Sequence, residues 1–529
     1  MMIEIRSNRI DRIIEYFAPV TAQKRFKARA ALAVAESYTG ASKSKRSLGT
    51  FRPNNGDANS ALEYALDTLQ SRSRDMIRNN PIAGSAIETS VTSVVGSGLS
   101  LDARIDYTYL GFTRDQADQW ESTAEREFAL WAESPECDVE RSLSFYEMQE
   151  LIYRSTLESG DVFVLTPRFK RADNPYLLKL QIVEADRCSN PQLARNTEAL
   201  SFGIEREASG APLKYHFSNF HPGSSIMPKE KKWTAVPAFG AKTSLPNVLH
   251  LYFKQRPGQS RGVPYLSPVI DTLRQLDKYT DAELTAAVVS AAFTVFIKSE
   301  GDIENLMSDL TPEDKKQYLS QLTGNSDVSL GNGSIVGLMP GEDVSIANPG
   351  RPNTAFDPFT QAIIAQIGAR LNIPYELLLK RFTASYSASQ AAFLEAWRDF
   401  KKRRAWLSAR FCQPVYELFL YEAVSTGRIK APGFLKNPAI RKAYSGAQWF
   451  GEPMGHIDPV KAANAATIRI GNFTSTIQRE TAEIGGEWDK NMAQIAIERE
   501  YIKGFTPQQA VIQPENKEED DERSSENNE

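Results

Sequence analysis

Four histidines, the side chains that most often bind metals or transfer protons, are scattered singly: His216, His221, His250 and His456. None belongs to an HExxH pattern or to a Cys/His cluster at ligand spacing, so each is better explained as a satisfied surface or core residue. There is no GxSxG sequence, and no pair of acidic residues stands out for general acid–base work. We therefore predict that the protein is not an enzyme and needs no metal or other cofactor.

Two glycine-containing segments are imperfect matches to phosphate-binding loops. GAKTS at 240–244 lacks the upstream glycine of a P-loop and has alanine between Gly240 and Lys242. GNGSIVG at 331–337 is one residue too long for the dinucleotide fingerprint and follows no convincing strand. Both are interpreted as turns.

A run of four basic residues is the best candidate for contact with nucleic acid: Lys401, Lys402, Arg403 and Arg404. Phe400 and Trp406 flank it, and interleaved aromatic and basic side chains can combine base stacking with phosphate contact. These aromatic residues, however, belong to the apolar stripe of a predicted helix, and Asp399 is adjacent. Contact between subunits is therefore preferred, and direct contact with DNA is kept as the alternative.

Composition restricts the classes further. The chain has 529 residues, of which 41% are hydrophobic and 24% charged, as in an ordinary soluble protein of several domains. A net charge of −4 does not indicate a surface that coats nucleic acid. Three widely spaced cysteines argue against a disulfide framework. The longest apolar stretch, near 284–297, is shorter than the roughly 20 residues of a spanning helix, and no signal peptide is visible, so no membrane association is predicted.

Charge is unevenly spread along the chain. Residues 1–50 contain ten Lys/Arg against four Asp/Glu, and residues 514–529 contain eight acids against two bases. We predict a basic, partly disordered arm over 1–59 and a disordered acidic tail over 513–529.

The elements between these ends are predicted from periodicity. Residues 60–250 have helical patterns first and strand patterns later, which is typical of an α+β domain. The helices are predicted over 60–78, 81–95, 114–131 and 144–158, and the strands over 161–166, 177–183, 202–206 and 214–217.

A second group of elements follows the sheet. Ser267 and Pro268 are the predicted N-cap and first residue of a long helix that ends near Ala292. Its apolar stripe consists of residues three or four positions apart: Leu273, Leu276, Thr280, Leu284, Ala287 and Ala291. The polar segment 298–353 is predicted to hold a short helix capped by Thr311 and strands near 334–338 and 343–346. Helices are predicted over 356–371, over 386–421 with a kink at Pro414, and in pieces to about Glu500.

Several sequence motifs resemble motifs that occur in the same order in the portal proteins of lambda-like tailed bacteriophages. RPGQSRGVPYLSP at 256–268 precedes a helix with YTDAELTAA, and SRSRDMIRNNP at 71–81 precedes a VVG-G turn. IPYELL at 373–378 precedes a Tyr-Ser segment and an A-A-LE helix, and GHIDPVKAANAA follows Trp449. Matching phrases recur from about residue 60 to 465.

The resemblance implies a portal-type α+β fold that assembles as a ring of twelve subunits at one vertex of the capsid. It implies these assignments: N-terminal arm 1–59, wing 60–264, stem helix 265–292, clip 293–355, returning stem helix 356–379, tunnel loop 380–386, long kinked wing helix 387–427, helical crown 428–512 and acidic tail 513–529. In the tunnel loop, the residues expected to line a DNA channel are Lys380, Arg381, Phe382, Thr383, Ser385 and Tyr386.

The resemblance also implies partners and a location. The expected partners are other copies of the chain, the terminase large subunit, the major capsid and scaffold proteins, the head-completion (adaptor) protein and double-stranded DNA that passes through the channel. The expected location is the portal vertex of the virion, and the host cytoplasm during assembly. Portal proteins do no chemistry, since the terminase hydrolyses ATP.

Two alternatives remain at this point. A nucleic-acid-binding or processing protein that uses Lys401–Arg404 would be a small species with saturable, strongly salt-dependent DNA binding. A different ring-forming head–tail connector would usually have a much shorter chain.

Overall fold

A computed structural model describes residue 14 and residues 16–35, 39–41, 45–172, 174–226, 228–292, 296–299, 311–314, 316, 342–345, 355–382, 385–454, 459–486 and 488–504. The chain divides into two compact units. The smaller consists of the described residues up to Tyr64 together with Arg256–Gly258, and the larger consists of the remainder.

In the smaller unit, helices α1 (Pro19–Ala35) and α2 (Ala58–Leu62) are described. The Asp57 carboxylate caps α2 by accepting hydrogen bonds from the backbone N–H groups of Asn59 and Ser60. The Asn59 amide donates to the carbonyl of Gly258 (3.1 Å), and the Arg256 guanidinium donates to the carbonyl of Gly56 (3.2 Å). The Arg-Pro-Gly turn is therefore part of this unit.

The larger unit is a mixture of helices and antiparallel sheets, so the predicted α+β class is confirmed. Its first helices are α3 (Leu66–Asn79), α4 (Pro81–Val94), α5 (Tyr107–Leu110), α6 (Arg114–Ala132) and α7 (Phe145–Ser159). Later helices are α8 (Ile270–Ala292), α9 (Phe356–Leu371), α10 (Tyr375–Leu379), α11 (Tyr386–Leu407), α12 (Gln413–Ser425), α13 (Pro438–Tyr444), α14 (Pro459–Gly471), α15 (Ile477–Glu483) and α16 (Trp488–Gly504).

The described strands form four small sheets. They are β1 (Ser100–Ala103), β2 (Asp161–Leu165), β3 (Gln181–Glu184), β4 (Leu200–Ser201), β5 (Ile204–Arg206), β6 (Pro212–Ser218), β7 (Trp233–Pro237), β8 (Val248–Tyr252), β9 (Phe296–Ser299), β10 (Glu342–Ser345) and β11 (Ala447–Phe450). The strand orders are β3-β2-β8, β4-β5-β6-β7, β1-β11 and β9-β10, with antiparallel pairing throughout.

One large hydrophobic core joins segments that are far apart in sequence. At its centre, the Phe128 ring packs edge-on against Phe145, Tyr416 and Phe419 at centroid distances of 5.4, 5.6 and 5.2 Å. Edge-to-face ring pairs of this kind stabilise the core by more than the burial of their apolar area alone would give. A smaller core around Phe163 and Phe217 lies under the four-stranded sheet.

A buried ion pair joins the start of β2 to the loop after β8. The Arg261 guanidinium donates to both carboxylate oxygens of Asp161 (Nε–Oδ2 2.5 Å, Nη2–Oδ1 3.1 Å), and both side chains are almost completely buried. His250 Nε2 lies 3.1 Å from the same Oδ2, and the Gly262 N–H donates to it at 3.2 Å. Arg261 also donates to the carbonyls of Cys188 (3.0 Å) and Ala185 (2.7 Å). The pair is thus fully hydrogen-bonded, as a buried pair must be.

Two glycines permit this close approach. A Cβ atom on Gly262 would collide with the carbonyl of Gly160, and Gly160 itself has a φ of +90°. Only a residue without a side chain fits at both positions. The two segments GDVFVL and SRGVP, which are a hundred residues apart in the sequence, therefore contact each other directly.

Most predicted helices match the structure. The helix 81–95, the helix 356–371 and the helices near 114–131 and 144–158 are confirmed. The helix predicted over 60–78 is confirmed from residue 66, but a turn at 63–65 separates this part from α2. Thr311 accepts a hydrogen bond from the Asp314 N–H (3.4 Å), as expected of an N-cap, and GAKTS forms a turn closed by the Ser244 N–H to Gly240 carbonyl bond.

Three predicted elements differ from the structure. The long helix begins at Ile270, because residues 265–269 form turns and the Ser267 N–H bonds to the Pro264 carbonyl, so the predicted cap at Ser267 is wrong. Residues 447–450, predicted to be helical within 428–512, form strand β11 paired with β1. The strand predicted over 177–183 is regular only over 181–184.

The irregularity near Pro414 has a specific form. The run 386–425 is helical, but residues 408–412 form a π-helical turn immediately before Pro414. This turn accommodates the missing proline N–H. The strand predicted at 334–338, the GNGSIVG segment and the tail 513–529 lie outside the described residues.

We expect Asp161→Asn to lower the free energy of unfolding by about 3–5 kcal/mol, because it leaves the Arg261 charge buried without a counter-ion. The measurement is the midpoint of chemical denaturation. Arg398→Met is the matched control: Arg398 pairs with Glu395 at 2.9 Å, but both side chains are more than 70% exposed. Loss of that surface pair should cost less than about 1 kcal/mol.

The same variant gives a pH test. Burial alone would raise the pKa of Asp161, but the Arg261 charge and the His250 hydrogen bond outweigh it and hold the pKa well below its ordinary value. An acid whose pKa is lower in the folded than in the unfolded protein stabilises the fold at pH values above its unfolded pKa, which is about 3.9 for Asp. This stabilisation is lost as the pH falls below that value. The difference between wild type and Asp161→Asn should therefore shrink from pH 7 to pH 3. A difference that stays constant would contradict a charge-based role.

Candidate functional site

The first candidate site is the loop between α10 and α11. Lys380 ends α10 in a left-handed conformation (φ 52°), and the Arg381 N–H bonds to the Glu376 carbonyl at 3.1 Å. Ser385 caps α11 by accepting a hydrogen bond from the Ala388 N–H. Thr383 and the Tyr386 side chain lie outside the described residues. The loop is therefore held at both ends by helix caps.

The described side chains of the loop face solvent. Lys380 is exposed, and Arg381 forms a long, exposed ion pair with Asp357 (3.6 Å). Phe382 is 56% exposed and lies parallel to Phe393 with ring centroids 6.3 Å apart. Two cations beside an accessible ring can contact phosphates and bases of a nucleic acid.

The base of the loop rests on helix α4. The Ser85 hydroxyl donates to the Leu378 carbonyl at 2.7 Å. Nearby, Arg154 binds Glu88 with two hydrogen bonds of 2.7 and 2.8 Å. The hydrogen bonds from Arg154 have the largest effect on the pKa of Glu88 and lower it, and the charge of Lys380 lowers it further. Helix α4 thus anchors the loop both sterically and electrostatically.

The second candidate site, the basic cluster Lys401–Arg404, is divided by the fold. Lys401 and Lys402 are exposed, whereas Arg403 and Arg404 turn toward the protein. Arg403 binds Asp399 at 2.5 Å, and its guanidinium lies over the ring of Tyr265 at 4.6 Å. Tyr265 in turn donates to the carbonyl of Leu371. Arg403 therefore links α11 to the residues that precede α8 and end α9.

Arg404 caps the end of helix α4. Its guanidinium donates to the carbonyls of Ser93 and Val94, both at 2.9 Å, and lies 5.3 Å from the ring centre of Trp397. A cation at a helix C-terminus satisfies carbonyls that have no helical partner and stabilises the helix dipole. Two of the four basic residues therefore have structural contacts.

The third feature is the helix α8, whose apolar stripe is only half buried. Leu273 and Leu276 are in the core, and Tyr279 packs against Phe356 and Phe359 with ring centroids 5.7 and 5.1 Å apart. Beyond this point, Leu284 is 65% exposed and Val288 is 62% exposed. Exposed apolar residues at helical spacing on a long helix mark a surface that another element covers.

The described side chains that could bind a metal or act as nucleophiles are dispersed or buried. Among the described residues, no group of three His, Cys, Asp or Glu side chains could hold a metal ion. Cys137, Cys188 and Cys412 are all free and buried, and burial raises the pKa of Cys137 and of Cys188 to about 12. Within the part of the chain that the structure describes, no helix is long and apolar enough to cross a membrane.

Sequence reasoning missed the cluster of Asp161, His250 and Arg261. His250 is a satisfied core histidine, as predicted, but its partners, the Phe163 ring at 4.2 Å and the Asp161 carboxylate, were not identified from the sequence. A signal was available: both charged residues stand beside a glycine within a short apolar phrase, where an unpaired charge would not be tolerated. The strand β11, which brings Trp449 into the large core, was also missed.

Comparisons with known proteins agree on one class. The model of a family described as "Phage portal protein, lambda family" matches residues 44–404. The chain is 26% identical to portal protein B of Escherichia phage lambda over 465 residues, covering 84% of this chain and 86% of that protein. It is also 26% identical to the portal protein of Escherichia phage N15 over 463 residues, with the same coverage.

Solved structures with a similar chain include the virion of a native gene transfer agent particle, with a TM-score of 0.39, 15% identity, and coverage of 75% of this chain and 96% of that chain. The neck of the native particle has a TM-score of 0.39, 14% identity, and coverage of 72% and 93%.

The family match covers most of the chain, and the protein is accordingly a phage portal protein, a class of structural capsid components. Within that class, the chain belongs to the lambda family of phage portal proteins.

We expect Arg404→Ala to lower the free energy of unfolding by roughly 1.5–3 kcal/mol, because two charge-assisted hydrogen bonds to helix α4 are lost. Lys401→Ala, three residues away on the same helix and exposed, should change it by no more than about 0.5 kcal/mol. Denaturation midpoints of the two variants are compared. Equal stability of both variants, with weaker DNA binding for Arg404→Ala, would instead favour a nucleic-acid contact.

Proposed function

We propose that the protein forms a dodecameric ring at one vertex of the capsid and acts as the channel through which double-stranded DNA enters and leaves. The observation that carries the proposal is the unburied apolar half of α8 in a chain of the lambda portal family. A neighbouring copy of the same helix, with its small residues, would cover Leu284 and Val288.

The dimensions of such a ring suit a duplex. Helices pack with their axes about 8–10 Å apart, so twelve copies at about 10 Å give a circumference near 120 Å and a diameter near 38 Å. Subtracting about 10 Å of helix thickness leaves an opening of roughly 28 Å. Helix α8 carries four acidic and two basic residues. A wall without excess positive charge would release few counterions and would let a duplex slide.

The loop 380–386 is proposed to contact that DNA. Lys380, Arg381 and Phe382 are exposed beside the helix pair α8–α9, and the loop is anchored on α4. Thr383, Ser385 and Tyr386 are included because they complete the same connection. Lys401 and Lys402, exposed farther along α11, are proposed to contact a neighbouring subunit or the DNA.

The remaining assignments follow the family. We propose that 293–355 form the clip that meets the terminase large subunit and later the head-completion protein. The wing, 60–264, and the crown, 428–512, are proposed to face the capsid and scaffold proteins. Assembly would take place in the host cytoplasm, with the protein retained at the portal vertex of the virion.

The rival function, a small nucleic-acid-binding protein that uses Lys401–Arg404, has less support. Arg403 and Arg404 are engaged with Asp399 and with the end of α4, which leaves two exposed lysines beside exposed Arg398 and Glu395. Two lysines give a weak electrostatic site, because affinity for DNA grows with the number of phosphates neutralised.

The ring is tested by native mass and negative-stain images of wild type and Leu284→Asp. Twelve copies of the 59.0 kDa chain give about 0.7 MDa, and wild type should show a ring with a central hole. Leu284→Asp places a charge in the proposed interface, so the ring should be lost while circular dichroism stays unchanged. Leu213→Asp, at a half-exposed position on β6, is the control and should keep the ring. A wild-type monomer or dimer would contradict the proposal.

The loop is tested by cross-linking within DNA-filled particles. A photoreactive residue at Phe382 should cross-link to DNA, because a tunnel loop touches the moving duplex. The same residue at Phe169, which is exposed near β2, should not. Cross-links confined to residues 43–46 of the basic arm would show that another segment contacts the DNA and would exclude this role of the loop.

A further inference from the structure

A cavity of about 900 Å³ lies between helix α11, strand β11 and helix α15, and Lys401 and Arg404 of the basic cluster form part of its wall. Four of its lining side chains are basic, Arg104, Lys401, Arg404 and Arg479, and one is acidic, Glu483. Lys401 and Arg479 are exposed at its rim. The charge of this groove, called here the basic groove, is therefore complementary to an acidic ligand.

The floor of the basic groove is apolar. Leu394 is 51% exposed there, and Trp397 and Met454 are partly buried beside it. A surface with an apolar floor and a basic rim fits a peptide that carries both carboxylates and aliphatic side chains, and suits it better than a rigid duplex.

The chain contains such a peptide beyond the described helices. Residues 514–529 contain eight acidic and two basic residues, with five consecutive acids at 518–522, and Ala510, Val511 and Ile512 precede them. This segment, the acidic tail, follows α16, which packs against α15 at the wall of the groove. Charge and apolar content of the tail both match those of the groove.

The reach of the chain is sufficient. Helix α16 has 17 residues, which span about 25 Å. Its first residue, Trp488, is five positions from Glu483 of the groove. Residue 518 is fourteen positions beyond Gly504, and fourteen extended residues span up to about 46–50 Å. The acidic tail can therefore return along α16 to the groove of its own chain.

We infer that the acidic tail docks in the basic groove of its own chain, where it competes for Lys401 with the subunit or DNA contact proposed above and shields Arg479 from other polyanions. Docking neutralises Lys401 on α11 and Arg479 on α15, while Lys380 and Arg381 in the loop before α11 stay available.

Carbodiimide cross-linking of the full-length protein tests this inference, because the reagent joins a lysine amine to a carboxylate that touches it. Mass spectrometry should find cross-links from residues 518–522 to Lys401. Lys402 is the matched control: it is equally exposed and adjacent in sequence, but it lines a different cavity with Glu376, Glu395 and Asp399. It should give no cross-link to the tail.

Two variants separate electrostatic docking from chance proximity. Arg479→Glu should reduce the Lys401 cross-link at least about tenfold, because like charges disfavour the complex. Arg398→Glu, exposed on the same helix but lining the other cavity, should leave it unchanged. Raising the salt concentration from about 0.1 to 1 M shortens the Debye length from about 10 to 3 Å and should abolish the cross-link.

Mixing chains labelled with nitrogen-15 with unlabelled chains identifies the source of the tail. The chains are mixed in the unfolded state and refolded together, so that any assembly contains both labels. Cross-links confined to peptides of the same label support docking on the same chain, whereas a substantial share that joins labelled to unlabelled peptides would assign the groove to a second copy and overturn the inference. Equal yields at Lys401 and Lys402, or no response to Arg479→Glu, would also overturn it.

Discussion

The buried contact between Asp161 and Arg261 is the constraint on which the larger unit depends. A desolvated carboxylate is tolerated only with a counter-ion and filled hydrogen bonds, and here Arg261, His250 and the Gly262 N–H supply them. Arg261 also holds the carbonyls of Ala185 and Cys188. One guanidinium thus fixes strand β2, the turn after β3 and the loop that leads to α8, and so fixes where the long helix starts.

Helix α11 connects the core to the loop at 380–386. It begins at that loop, passes Arg403 over Tyr265, places Arg404 on the end of α4, and continues through the π-helical turn into α12 in the core. Helix α4 also supports the other side of the loop through Ser85. The loop is thus held at both ends by helices that share one core.

The distribution of charge separates structural from exposed cations. In the basic cluster, Arg403 and Arg404 bond to a carboxylate and to carbonyls, whereas the adjacent Lys401 and Lys402 are exposed. Arg has a planar fork that can satisfy several acceptors at once, and Lys has a single, strongly hydrated charge. A basic run in the sequence is therefore not one surface, and its lysines and arginines need separate tests.

Local patterns in the sequence determined the α+β class, the helix pair before Gly96, the helix 356–371 and the family resemblance. This was possible because helical periodicity, proline positions and sequence motifs depend only on residues that are close together in the chain. The tertiary structure alone decided the pairing of Asp161 with Arg261, the strand 447–450 and the inward turn of Arg403 and Arg404. Those features depend on which distant segments meet. From the sequence alone, one cannot identify which distant residue will contact a charged residue beside a glycine, or a tryptophan in a segment with a helical pattern. That contact is decided only when the chain folds.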